Sequence, residues 1–215
     1  MKFTLEQIKK VLTKKGYEIF SKARPYNLNI VGVRSTDKTS NLFNDAITCF
    51  YNDKQGNEAF HVWPATTDPG LFYLKNPVNV EGTAILCEGQ YKGVYSLALH
   101  QGKYRALCQR NGNVKVVRDC DRDSELDYNS GKIEAGMFGI NIHRANLHAI
   151  TDKVDKWSAG CQVFQNDSDF DELIALAEIS AGLYGNKFTY TLINEKDLSG
   201  LMDKEIPKPS KMTKD

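Results

Sequence analysis

The apolar positions of the chain fall into short alternating runs separated by polar turns, with a helical period near each end. Ile8, Val11 and Leu12 recur at helical spacing behind Thr4 and Gln7, a capping-box pair, and Gly16 follows as a stop. Residues 26–34 (YNLNIVGVR) read as a strand, and the polar stretch STDKTSN after them as a loop. Residues 45–52 and 58–63 flank the turn NDKQGN and predict a hairpin. Further strands are expected at 83–87, 94–100, 104–109 and 113–118, with Gly102 and Asn111-Gly112 as turn residues. A second helix is expected over 168–183. Ser168 or Asp169 caps it, Phe170, Leu173, Ile174, Ala177 and Ile179 supply its stripe, and Gly185-Asn186 ends it. Residues 187–193 (KFTYTLI) form a last strand, and the Lys- and Pro-rich tail from Asp197 is expected to fray.

This pattern predicts a mainly β chain with flanking helices, an α+β fold with a sandwich or barrel-like core. An N-terminal helix and strand (residues 1–44) are expected to pack on a main domain (45–195), followed by a flexible tail (196–215).

Composition narrows the function classes. With 215 residues and 41% hydrophobic content, the chain can bury a full core. Lys plus Arg is 28 against 27 Asp plus Glu, so charge gives no reason to expect nucleic acid as a partner. No apolar run reaches the roughly 18 residues that span a bilayer. The N-terminal segment MKFTLEQIKKVLTKKGYEIF has no apolar h-region or cleavage site, so no secretory signal is expected.

The five cysteines (Cys49, Cys87, Cys108, Cys120 and Cys161) are odd in number and lack a CxxC pair, which argues against a disulfide framework or a structural zinc site. Cys87 and Cys108 lie in apolar runs and read as core residues. Cys161 differs, because it follows the small residues Ser158-Ala159-Gly160. Small residues let a substrate carbonyl approach the backbone, whose amides can then donate to a developing oxyanion. A thiol reacts as thiolate and so needs a base. His143, at the end of the alternating run MFGINIH, is the candidate. One histidine and one cysteine eighteen positions apart occur by chance in many chains, and on spacing alone a structural role for both stays open.

His143 followed by Ser158-x-Gly160-Cys161 resembles the L,D-transpeptidase family (the YkuD-type catalytic domain), whose motif is a histidine, a spacer and then Ser/Thr-His-Gly-Cys. Upstream, Trp63-Pro64-Ala65-Thr66-Thr67 and Asp68-Pro69-Gly70 resemble the family's Pro-Val-Ser-Thr-Gly and Thr-Pro-x-Gly segments, in the family's order. The sequence departs from the family at Ala159, where a histidine is usual. It departs again at Arg144, where glycine is usual, and at Val163, where Arg or Asn is usual.

The resemblance implies an L,D-transpeptidase-like core and a cysteine enzyme acting on peptidoglycan. His143 takes the Cys161 proton, and the thiolate attacks a stem-peptide amide to leave a thioester. It also implies a backbone carbonyl that orients the histidine, with no cofactor. Ser158 and Gly160 are expected to support the loop or the oxyanion. Arg144, Trp157, Trp63 and Thr67 are the candidates to contact substrate, with Arg144 either binding a substrate carboxylate or forming a surface salt bridge, and Trp157 either packing in the core or serving as a platform. Without an export signal, a phage-type lysin released to the wall or carried in a virion fits best, and the chain resembles phage-encoded proteins with this core. A non-catalytic wall-binding or virion protein, or an intracellular cysteine amidase, are the alternatives.

One further motif is a run of alternating acids: Asp119, Asp121, Asp123 and Asp127. It resembles a calcium loop, but Ser124 and Ser130 stand where the turn glycine and the bidentate Glu belong. A solvated acidic turn is the favoured reading, and no metal is expected. His61, His100 and His148 lack ligand-like spacing.

Overall fold

The computed structural model describes residues 3–20, 24–129 and 132–202, including main-chain positions only for residues 200–202. In chain order it comprises α1 (Leu5–Lys14), β1 (Asn29–Arg34), β2 (Asp45–Asn52), β3 (Glu58–Thr66), α2 (Leu71–Lys75), β4 (Thr83–Leu86) and β5 (Gly89–His100). β6 (Tyr104–Gln109), β7 (Val114–Asp119), β8 (Glu134–Gly136), β9 (Ile142–Arg144) and β10 (Gln162–Phe164) follow, then α3 (Asp167–Tyr184), β11 (Phe188–Asn194) and α4 (Glu195–Met202).

Eight strands close into a barrel in the order β1-β11-β5-β6-β9-β10-β3-β2, and β4, β7 and β8 form a separate three-stranded sheet. Closure removes the unpaired edges that an open sheet would present. The mainly β expectation is met, with the core inside a barrel. β1 lies parallel to β11 and antiparallel to β2, so it is a stave of the barrel and not an appendage packed on it. A boundary at residue 44 therefore does not separate two units.

The first helix forms as its capping box predicts. The Thr4 hydroxyl accepts from the Gln7 amide, and the Gln7 side chain accepts from the Thr4 amide. Its buried stripe, Ile8, Val11 and Leu12, packs on the outward side chains Val31, Val33, Phe50 and Ile193. α3 is capped by Asn166, not by Ser168 or Asp169, because the Asn166 side chain accepts from the Ser168 amide. Its buried face is Phe170, Leu173, Leu176 and Ala177, while Ile179 is exposed.

The segment expected to fray is helical through Met202. Asp197 accepts from the Asn194 amide at 3.2 Å and pairs with Lys15 at 2.9 Å, which ties α4 to the end of α1. Residues 203–215 of the expected tail lie outside the described residues.

The short strands β8, β9 and β10 are defined by their pairing with neighbours, β8 on β7 in the small sheet and β9 and β10 within the barrel. β9 pairs with β10 in parallel, Ile142 with Gln162 and His143 with Val163. That pairing brings the two motif segments side by side.

Candidate active site

In a parallel pair, partnered residues and those two positions away project to the same side of the sheet. Cys161 is two residues before Val163, the partner of His143, so the thiol and the imidazole share a face. Strand spacing and rise put their α-carbons roughly 8 Å apart. Both line a cleft of about 570 Å3, together with Tyr104, Arg144, Trp157 and Ala159.

The histidine is fixed by its own strand. His143 Nδ1 lies 2.8 Å from the Arg144 carbonyl oxygen, which can only accept, so Nδ1 carries the proton and Nε2 is left as the base. The Tyr104 hydroxyl donates to the same carbonyl at 3.4 Å. A carbonyl orienting the histidine is what the family resemblance implies.

The thiol sits in a backbone cradle. Cys161 Sγ accepts from the Asn141 amide at 3.4 Å and donates to the Gly139 carbonyl at 3.5 Å. Gly160, before it, adopts a φ of +118° with its α-carbon against β4. A Cβ there would lie 2.3 Å from the Ala84 carbonyl oxygen, so only glycine fits. Ser158 is fully buried; its hydroxyl donates to the Cys161 carbonyl at 2.8 Å and accepts from the Gly160 amide at 3.1 Å. These groups therefore hold the loop, one of the two roles expected of Ser158 and Gly160, and are not free to meet an oxyanion. The Cys161 N–H has no acceptor among the described residues.

Electrostatics make the resting pair neutral. Burial, then the neighbouring His100, depress the His143 imidazole to about 3. Burial pushes the Cys161 thiol up to about 11, although the residue keeps some surface toward the cleft. A resting thiolate–imidazolium pair is not favoured; the proton must move as the sulfur attacks.

Four site residues escaped the sequence reading. His100 stacks on His143 with ring centroids 4.2 Å apart. Asn141 Oδ1 accepts from the Gln109 amide at 2.9 Å, so its Nδ2 donates to His100 Nδ1 at 3.2 Å. Gln109, almost fully buried, accepts through Oε1 from the amides of Phe138, Gly139 and Ile140, and donates through Nε2 to the carbonyls of Gly112 and Gly136. It thereby shapes the segment that carries the thiol's cradle. Tyr104 lies under the Arg144 guanidinium at 4.3 Å. A lone buried polar residue at the end of a strand was the only available signal for Gln109 and His100.

No family model, curated protein or solved structure matches the chain.

Of the residues expected to contact substrate, Arg144 and Trp157 line the cleft and Trp63 and Thr67 do not. Trp63 is buried against Phe164, and its indole N–H donates to Glu172 at 2.8 Å. Thr67 is fully buried, and its amide and hydroxyl both donate to Asp45. Beside it Arg34 pairs with Asp68 at 3.0 Å and donates to Thr67 and to the Leu86 carbonyl. The upstream motif thus builds the wall below the nucleophile loop: Gly70 donates to the Ser158 carbonyl at 2.9 Å.

The acidic run turns its carboxylates on its own backbone. Asp121 accepts from the Asp123 amide, Asp123 from that of Glu125, and Asp119 from that of Asp127. Among the described residues no three His, Cys, Asp or Glu side chains converge as metal ligands. Ser130 lies outside the described residues. No described helix is long and apolar enough to cross a membrane.

Proposed function

We propose that the protein is a cysteine acyltransferase or peptidase that attacks a peptide amide through Cys161, with His143 as base. The observation that carries this reading is a thiol and an imidazole in one cleft, with Nδ1 of the imidazole committed to the Arg144 carbonyl. Nε2 takes the proton from Sγ as the sulfur adds to the amide carbonyl. The Cys161 N–H, which has no acceptor among the described residues, is the donor we assign to the resulting oxyanion. As the tetrahedral species collapses, the C–N bond breaks, Nε2–H returns its proton to the leaving amine, and a thioester on Cys161 remains. Water regenerates the thiol by hydrolysis; an amine acceptor gives transpeptidation.

The resemblance to L,D-transpeptidases supplies the substrate class, a peptidoglycan stem peptide, and a phage-type lysin acting at the wall is the form we favour. A second reading, a wall-binding or virion protein that retains the fold without turnover, is favoured by the neutral, buried pair. Mass spectrometry of purified sacculi separates the two. Wild-type protein releases new stem-peptide fragments or cross-links, and Cys161→Ala and His143→Ala release none. Wall binding with no product from the wild type rejects the catalytic reading.

A further inference from the structure

The cleft that holds Cys161 has a one-sided charge. Lys103, at the turn between β5 and β6, Arg144 at the end of β9, and Lys156 in the segment before the nucleophile loop all line it. Among the described residues no carboxylate does so. Aromatic faces position two of these cations: Arg144 lies over Tyr104 at 4.3 Å and Lys156 over Phe72 at 4.4 Å. The chain as a whole is balanced, at a formal net charge of +1, so three cations facing one cleft do not follow from composition.

The adjoining hollow shows that this charge is local. It meets the cleft at Tyr73 and Ala159 and is walled by Val78, Phe138 and Ile140. Its cation, Arg118, is held by Glu134 at 3.1 Å. Charge therefore changes across Ala159, from compensated and apolar on one side to uncompensated and cationic on the other.

We propose that the cleft selects an anionic substrate, a peptide segment whose carboxylates lie along Lys103, Arg144 and Lys156 while its amide faces Cys161. The inference rests on reading Cys161 as the thiol that is acylated. A cleft lined by one sign of charge concentrates ligands of the opposite sign, and the effect falls with ionic strength.

The test uses two thiol probes of similar size, 3-maleimidopropionate, which carries a carboxylate, and N-ethylmaleimide, which does not. Both are attacked by sulfur at the ring double bond, and the adjacent carbon takes up a proton. Labelling of Cys161 is followed by peptide mass spectrometry on the full chain, at one pH and low salt. The expected ratio of anionic to neutral rates is about three- to tenfold higher at Cys161 than at Cys120, an exposed thiol between two aspartates. The ratio should collapse in Lys103→Glu/Lys156→Glu and persist in Lys103→Arg/Lys156→Arg. The ratio cancels any change that charge reversal makes in the thiolate fraction of Cys161, and circular dichroism of each variant checks that the chain is still folded. An equal ratio at the two cysteines, or one indifferent to charge reversal, overturns the proposal. Neither probe requires turnover, so an inert sacculus assay beside a high, charge-dependent ratio rejects the enzyme and leaves the anion-selective cleft standing.

Discussion

The ring of His100 lies on that of His143, with centroids 4.2 Å apart and planes inclined by 22°. Two imidazoles in face contact do not both carry protons cheaply, and the Asn141 amide hydrogen aimed at His100 Nδ1 keeps that atom an acceptor. His100 is thus a positioning residue for the neutral form of His143. Replacing it with phenylalanine keeps the stack and removes the competing base. NMR titration of the His143 ring should then show a higher pKa than in wild type, with the Cys161 alkylation rate changed less than in His100→Ala.

The same depression has a consequence for stability. His143 titrates near 3 in the folded chain and near 6.5 when unfolded, so between these values the unfolded chain binds the extra proton. Its contribution is fully present above pH 6.5 and is lost as the pH falls toward 3, at up to about 1.4 kcal/mol per pH unit. Denaturant midpoints measured over this window should fall more steeply for wild type than for His143→Gln. Parallel curves would show that the imidazole is not kept neutral.

Cys161 should alkylate slowly at neutral pH, with a rate rising about tenfold per pH unit toward its pKa near 11. A rate plateau at acidic pH, the mark of a preformed ion pair, would contradict the neutral pair. Iodoacetamide rates measured across pH, resolved for each cysteine, give the answer.

Gly160→Ala should abolish any turnover while leaving a folded barrel. Its left-handed φ and the Ala84 carbonyl force the loop to move, and Cys161 moves with it. Circular dichroism and product analysis on the same sample check both halves.

Gln109→Leu removes the acceptor of three amide hydrogens, those of Phe138, Gly139 and Ile140. The expected cost is about 2–5 kcal/mol by chemical denaturation, with faster hydrogen exchange at Gly139 and Ile140. Arg34→Met should cost about 3–5 kcal/mol, because it leaves the Asp68 carboxylate buried without its partner.

Local rules in the sequence determined the elements with strong periods. The Thr4–Gln7 box, the alternation in 45–52 and 58–63, and the apolar period of α3 each specify structure through nearest neighbours, and each formed. The proximity of His143 and Cys161 in one cleft was legible only as a motif. The parallel register of β9 and β10 made it a geometry, and three-residue strands take their conformation from the staves on either side. For the same reason His100, Asn141 and Gln109 were invisible: their hydrogen bonds join strands far apart in the chain. Trp63 and Thr67 were misread because a residue type suited to binding substrate is equally suited to filling a wall, and burial alone tells the two apart. Sequence determined the candidate thiol and base; the strand order decided which atoms surround them, because β6, β9 and β10 become neighbours only through pairings between segments far apart in the chain.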